Sequence, residues 1–285
     1  MIQFIKISDN LPTSKLVFQE LVHLITDPYS SIYNIVSLIS EDPGLSFQAL
    51  KLADLSYFED SEKLISVKQV LPVLGIERII KLVLSARVIS EEQEYQEKLY
   101  RHSLTCAGAS RIIGRSLYPN KPLKLDVLFT LGLMQDLGKL VIFFYLHLSQ
   151  KNQISTEKNT MLDKSSSLKE VDHAQIGVEF VSNFDLPAEF YQVIRFHHHP
   201  MKATSNKESV IIVHLADYLS CLLETDQETS CGFSLDDDCW DVLRLEKDKT
   251  PYYLSLLKMN FTSQRSSKGY LKWKTNLIEF FLIHP

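Results

Sequence analysis

Glycine is scarce in this chain, and so are the sequence features that glycine usually supports. The 285 residues include nine glycines, and none of them belongs to a glycine-rich loop of the kind that cradles a phosphate group. The four cysteines show no CxxC spacing, which argues against a zinc finger and leaves reduced thiols as the expectation. Neither a phosphate loop nor a cysteine-based metal site is therefore predicted.

The chain also has no segment that we interpret as a leader or a membrane span. Its first residues, Met-Ile-Gln-Phe-Ile-Lys, lack a basic region followed by a long apolar segment. The longest uninterrupted apolar run, residues 140–146, is far short of the roughly 20 residues that span a bilayer. With a net charge of -5 and a pI of about 6.0, nothing favours nucleic acid as a partner. We expect a cytoplasmic protein with no membrane and no nucleic-acid partner.

What the chain does have is helical periodicity along most of its length. The breaks fall at Asp27-Pro28 and Asp42-Pro43, and Gly75 is typical of the residue just after a helix. No strand alternation and no internal repeat is evident, so the predicted fold class is all-α. Further along, Asp126 is predicted to cap a helix that runs to Leu137 and closes at Gly138. Residues 150–170 are predicted to be a loop, and 270–283 a last helix.

A polar, acidic run at residues 91–98 is the best candidate for a boundary. It is too polar for a core and too short for a free linker. We therefore predict two packed helical lobes, residues 1–92 and 93–285.

One polar pair interrupts an apolar stretch, and other polar residues share its chemistry. Gln135 and Asp136 lie within residues 132–139, and a lone glutamine there needs a reason. The other candidates that could bind metal or handle protons are His102, His173, His197, His198 and Asp217. Taken singly, an inward histidine such as His102 can equally be a hydrogen-bonded core residue. His214, one turn before Asp217, either orients that carboxylate or packs in the core, and His199 is expected at a helix end in solvent.

Four segments in order carry a resemblance to a known family. They are residues 39–54, with its Glu-Asp-Pro-Gly-Leu start, 65–78, 172–177 and 186–198. Together they resemble the HDOD family, a bacterial regulatory branch of the HD-type metal-dependent phosphohydrolases, over roughly residues 10–225. The resemblance implies a C-terminal lobe similar to the HD superfamily.

The same resemblance implies two sets of metal ligands. The first set would be His102, position 135, Asp136 and Asp217. Position 135 departs from the family pattern, because an amide oxygen is a far weaker ligand for a transition metal than imidazole. The second set is complete, and comprises Asp136, His173 and one or both of His197 and His198.

The expected cofactor is therefore one divalent transition metal ion, with iron, zinc and manganese as the candidates. The alternative is that no metal binds and that Gln135 is a packing replacement. Lys139 matches a basic residue that can face a substrate phosphate in catalytic relatives, so it is a candidate phosphate contact. Its alternative is an ordinary surface lysine.

Two functions follow from the resemblance. The first is a signalling module that acts through contacts with signalling proteins, has no catalytic residue, and could bind a nucleotide. No kinase, receiver or cyclase pattern accompanies it in this sequence. The second is a metal-dependent phosphohydrolase that acts on a nucleotide or a phosphodiester.

Overall fold

The computed structural model describes residues 11–53, 65–89, 94–150, 172–225, 233 and 235–261. In these ranges the chain is almost entirely helical, which confirms the all-α prediction. The first helices are α1 (Lys15–Thr26), α2 (Ile32–Ser40), α3 (Pro43–Leu52) and α4 (Val67–Leu84). They are followed by α5 (Glu94–Leu117), α6 (Pro122–Met134), α7 (Leu137–Gln150), α8 (His173–Val181), α9 (Ala188–Phe196), α10 (Lys207–Thr225), α11 (Asp238–Leu243) and α12 (Thr250–Phe261). Short 3-10 turns occupy Pro200–Lys202 and Lys247–Lys249.

A small pair of strands, which the sequence did not predict, attaches the start of the described chain to the residues after α4. Strand β1 (Pro12–Thr13) lies parallel to β2 (Arg87–Val88), and Pro12 is opposite Arg87. The Tyr100 hydroxyl of α5 donates a hydrogen bond to the Pro12 carbonyl. The two strands are too short for side-chain alternation to show, so pairing rather than propensity creates them.

Four helices begin with a local side-chain hydrogen bond. Ser31 caps α2, Asp42 caps α3 beside Pro43, and Asp172 caps α8, each by accepting a backbone N–H. Ser66 forms a reciprocal capping box with the third helical residue at the start of α4. The predicted breaks at Asp27-Pro28 and Asp42-Pro43 are confirmed.

Two predicted helix boundaries are wrong. Helix α6 begins at Pro122, so Asp126 lies inside it and pairs with Arg111 at 2.9 Å instead of capping. Gly138 belongs to the first turn of α7 and closes no helix. A Cβ at Gly138 would lie 1.8 Å from the His173 carbonyl oxygen, so this glycine lets α7 and α8 approach closely.

The helices before and after the predicted boundary share one hydrophobic core. The Phe47 ring of α3 lies 5.0 Å from Phe180 and 5.1 Å from Phe184, measured between centroids. The Val67 N–H of α4 donates to the Thr130 hydroxyl of α6 at 3.3 Å. The boundary near residue 92 stays a prediction, because residues 90–93 lie outside the described ranges.

The most apolar part of the chain is its centre. Residues Pro122–Ser149 are long and apolar enough to cross a membrane by length and composition, but 94% of the most apolar window is buried inside the protein. That burial accounts for the composition, because α6 and α7 form the middle of the core.

Of three other predictions, two concern residues that lie mostly or wholly outside the described ranges, and one needs correction. Gln150 still belongs to α7, while the rest of the predicted 150–170 loop and the predicted helix at 270–283 lie outside the described residues. Cys106 and Cys239 are free, as expected. Cys221 is disulfide-bonded, so the expectation of reduced thiols is wrong for this residue.

Candidate metal centre

The short junction between α6 and α7 carries the central carboxylate of the site. Met134 ends α6 and Leu137 begins α7, which leaves Gln135 and Asp136 as the two connecting residues. Asp136 is 2% exposed, and its carbonyl accepts the Lys139 N–H. The apolar helices on either side therefore carry this carboxylate into the core.

Two histidine nitrogens lie near one oxygen of that carboxylate, and a third histidine belongs to the same cluster. His173 is the first residue of α8, and His197 and His198 follow the end of α9. The Nε2 atoms of His173 and His197 lie 3.2 and 3.6 Å from Asp136 Oδ1, and 3.3 Å from each other. With His198, these residues offer four ligand atoms that all lie within 4.8 Å of one another. Such a cluster could hold a metal ion.

The orientation of His197 fits that use. Its Nδ1 lies 3.0 Å from the Ile194 carbonyl and 3.3 Å from the Val193 carbonyl, so Nδ1 carries the proton and donates. The lone pair of Nε2 is thereby directed at Asp136, as in histidines that bind metals in proteins. Asp136 Oδ1 is buried and accepts no hydrogen bond from the described residues. A cation between these atoms would satisfy both.

The other oxygen of Asp136 faces a different set of charges. Lys139 Nζ lies 2.7 Å from Asp136 Oδ2, and His102 Nε2 lies 3.6 Å from the same oxygen. His102 Nε2 is also 2.9 Å from Asp217 Oδ1, while its Nδ1 is 3.3 Å from Glu224. Three residues of the predicted first set, His102, Asp136 and Asp217, thus lie near one another, but ion pairs occupy them.

Gln135 has no such contacts. Its side chain is fully buried, and neither its amide nitrogen nor its amide oxygen has a hydrogen-bond partner among the described residues. Most buried polar atoms in proteins are hydrogen-bonded, so an unpartnered pair marks an unusual position.

The electrostatics of the two sides differ. Burial favours a raised pKa for Asp136, but the charge of Lys139 and the neighbouring rings of His173 and His197 outweigh it and hold the pKa well below its usual range. Burial, helped by the neighbouring His197, lowers the pKa of His198 to about 3. An ionised carboxylate and a neutral imidazole are the protonation states that bind metal ions.

Unlike the neutral imidazole of His198, the His102 side chain is protonated. Burial alone would lower its pKa, but the hydrogen bonds to Asp217 and Glu224 raise the pKa to about 10. In the metal-free protein this side chain is therefore an imidazolium, which must lose a proton before it can act as a ligand.

Two residues that lie around the cluster were not predicted from the sequence. Glu224 lies seven positions after Asp217 on α10, so helical spacing places both carboxylates on one face, and that spacing could have revealed it. The Phe233 ring lies 4.5 Å from the His198 ring, and no pattern in the sequence indicates this contact.

His214 is fully buried in the core, which is one of the two roles considered from the sequence, but it does not orient Asp217. Its Nδ1 lies 2.6 Å from the His197 carbonyl, and its Nε2 accepts the Asp236 N–H at 3.2 Å. Both ring nitrogens are used, so His214 does not hydrogen-bond to Asp217. His199 is exposed beside the last turn of α9, as expected.

Comparison with known families identifies the chain. A family model described as the HDOD domain matches residues 11–200. The chain belongs to the HDOD family. This HDOD match includes Asp136, His173, His197 and His198, whereas His214, Asp217 and Glu224 follow its last matched residue.

Solved structures with low sequence identity share the HDOD fold of this chain. The MmoQ response regulator of Methylococcus capsulatus is 18% identical with a TM-score of 0.62, covering 87% of this chain and 98% of that one. A virulence factor of Campylobacter jejuni is 16% identical with a TM-score of 0.64, covering 88% and 96% respectively. An uncharacterized protein of Treponema pallidum is 26% identical over 203 residues. That match covers 67% of this chain but 38% of the relative, so the chain spans well under half of the relative's length.

Proposed function

We propose that this HDOD chain is a bacterial signalling module that works through contacts with other signalling proteins and has little or no hydrolase activity. The fold shared with a protein described as a response regulator supports the signalling part. The observation that carries the proposal is that the two oxygens of the Asp136 carboxylate face different groups. One oxygen lies beside His173 and His197 without a hydrogen bond, and the other pairs with Lys139 beside the unpartnered Gln135.

The residues that would hold a metal ion are Asp136, His173, His197 and His198. Imidazole and carboxylate ligands suit iron, zinc and manganese, which are the candidates for this site. A bound divalent ion would supply a positive charge that can attract a phosphate or another anionic ligand. Lys139, whose Nζ lies 2.7 Å from the other oxygen of Asp136, adds a second positive charge next to the site and is the candidate phosphate contact.

The first ligand set argues against catalysis by two metals. Hydrolysis of that kind uses one ion for the attacking oxygen and another for the leaving or phosphoryl oxygens. Gln135 offers no imidazole, and His102 is held as an imidazolium by Asp217 and Glu224. We therefore expect one ion per chain at most, in a cytoplasmic protein whose ligand could be a nucleotide.

Metal analysis tests the metal part of this proposal. Protein purified without chelator or nickel resin should contain at most one equivalent of iron, zinc or manganese, measured by plasma mass spectrometry. His173→Ala should lose that metal, whereas His199→Ala, a change at an exposed histidine outside the cluster, should keep it. Two equivalents in the wild-type protein would show that Gln135 does not weaken the first set.

An activity assay tests the functional part. Wild-type protein supplied with manganese or zinc should turn over nucleotides, cyclic dinucleotides and bis-p-nitrophenyl phosphate no faster than Asp136→Ala. Loss of an outer partner of a metal ligand already costs about 10–100-fold, so loss of a direct ligand should cost at least as much. Robust wild-type hydrolysis that disappears in Asp136→Ala would instead establish the phosphohydrolase alternative.

A further inference from the structure

His214 joins two parts of the chain that are far apart in sequence. His214 belongs to α10, and its side chain is fully buried. On one side its Nδ1–H donates to the His197 carbonyl at 2.6 Å, and on the other its Nε2 accepts the Asp236 N–H at 3.2 Å. Because Nε2 accepts, the proton resides on Nδ1, and a neutral ring makes both bonds.

The segment on the far side of His214 lies beyond the HDOD match. That match ends at residue 200, whereas Asp236 lies two residues before the start of α11. Trp240 of α11 is buried, and its ring lies 6.4 Å from the Tyr253 ring of α12. Helix α12 in turn packs against α5, the helix that carries His102, and against α10. The C-terminal helices are therefore part of the same packed body as the cluster.

A second contact links the same two parts of the chain. The Phe233 ring lies 4.5 Å from the His198 ring and 5.5 Å from the His214 ring. His197 and His198 are thus held from the C-terminal side by one hydrogen bond to the main chain and by one aromatic ring.

We propose that His214 is a positioning residue that couples the cluster of Asp136, His173, His197 and His198 to helices α11 and α12. It fixes the turn that presents His197 and His198, and the same ring holds the start of α11. This inference rests on the proposed function only in taking the cluster to be a metal site.

Coupling of this kind works in both directions. If the histidine turn must be in place for a metal ion to bind, then metal binding must also stabilise what holds the turn in place. Zinc should therefore slow amide hydrogen exchange at Asp236 and in α11, although no ligand atom comes from there. In a signalling module, these helices would report the state of the site.

Three substitutions separate the two hydrogen bonds. His214→Phe keeps a ring but removes both bonds. His214→Asn keeps a donor near the position of Nδ1 and so retains the bond to His197. His214→Gln places an amide near the position of Nε2 and so retains the bond from Asp236. Ile212→Ala, a buried change on the opposite face of α10, is the control for lost stability alone.

The experiment measures zinc affinity by chelator competition and hydrogen exchange with and without zinc. His214→Phe should weaken zinc binding about tenfold or more, in line with other outer partners of metal ligands. It should also speed exchange at residues 197–202 and at Asp236 in metal-free protein. His214→Asn should restore zinc affinity without restoring protection at Asp236, and His214→Gln should do the reverse. Ile212→Ala should change neither measurement selectively.

The outcomes keep this inference apart from the metal proposal. Unchanged zinc affinity in His214→Phe, or exchange that rises equally in Ile212→Ala, would overturn the coupling while leaving the metal site intact. If wild-type protein binds no zinc, iron or manganese, the metal proposal fails. Selective exchange changes in the metal-free variants would then still support the link between the histidine turn and α11.

Discussion

At the scale of single residues, Gln135 has the largest effect on our interpretation. An imidazole at this position would be a strong ligand, whereas an amide is a weak one. Burying an amide without partners costs about 1–3 kcal/mol for each group left unsatisfied. The side chain is fully buried and has no partner in the described part of the chain, so packing alone gives no reason for a polar residue here.

Two substitutions at this position test its role. Gln135→His should raise the metal content of the purified protein, because it restores the missing ligand beside Asp136. Gln135→Leu, which has a similar size and no ligand atom, should leave the metal content unchanged. It should also raise the free energy of unfolding by about 2 kcal/mol or more, since it removes two unpartnered buried groups. A large loss of stability in Gln135→Leu, measured by urea denaturation, would reveal a partner for the amide.

At the scale of elements, local chemistry predicted some helix ends and not others. The caps Ser31, Asp42 and Asp172 are of a kind that local sequence can indicate, because a short polar side chain precedes each apolar stripe and accepts a backbone N–H. Helices α6 and α7 gave no such signal. They are apolar on nearly every side, so periodicity cannot locate the junction at residues 135–136. The α7–α8 contact at Gly138 depends on tertiary structure that no local pattern contains.

The close approach of α7 and α8 at Gly138 can be tested by a substitution. Gly138→Ala would place a methyl group 1.8 Å from the His173 carbonyl oxygen, so α8 must move away from α7. We expect a loss of roughly 1–3 kcal/mol in unfolding free energy from overpacking, together with weaker metal binding because His173 moves with α8. Gly114→Ala is a matched control, since its new methyl meets the flexible side-chain ends of Leu128 and Leu125 and no backbone atom among its nearest neighbours. Equal effects of the two changes on metal binding would contradict this account of Gly138.

At the scale of the whole molecule, the site depends on helices that are distant in sequence. His102 and Asp217 are 115 positions apart, yet their side chains are 2.9 Å apart. Helical spacing could place each residue on an inward face, but only resemblance to a family could bring them together. Contacts absent from the family pattern, such as those of Glu224, Phe233 and His214, were therefore missed or misassigned.

Charged side chains also hold helices on both sides of the predicted lobe boundary. Asp126 of α6 lies 2.9 Å from Arg111 of α5 and 3.7 Å from Lys68 of α4. Burial outweighs the attraction of Asp126 and lowers the pKa of Lys68 below its ordinary value of 10.5. The charged form of Lys68 is therefore less favourable in the folded protein than in the unfolded chain.

The pKa of Lys68 fixes the direction of a stability change with pH. Below the folded pKa the lysine is charged in both states, and the folded state bears the full cost of burying it. Between the folded pKa and 10.5 the unfolded chain binds more protons, so stability rises with pH. Lys68→Met, which keeps the length without the charge, should equal or exceed wild-type stability at about pH 7, because Asp126 keeps Arg111.

The difference in unfolding free energy between Lys68→Met and wild type should shrink as pH approaches 10.5, measured by urea denaturation of metal-free protein. Lys81→Met is the control, because Lys81 pairs with Glu77 on the surface of the same helix. It should change stability by less than about 1 kcal/mol. If Lys68→Met instead loses several kcal/mol at neutral pH, the pair with Asp126 outweighs burial, and this lysine fastens α4 to α6 through its charge.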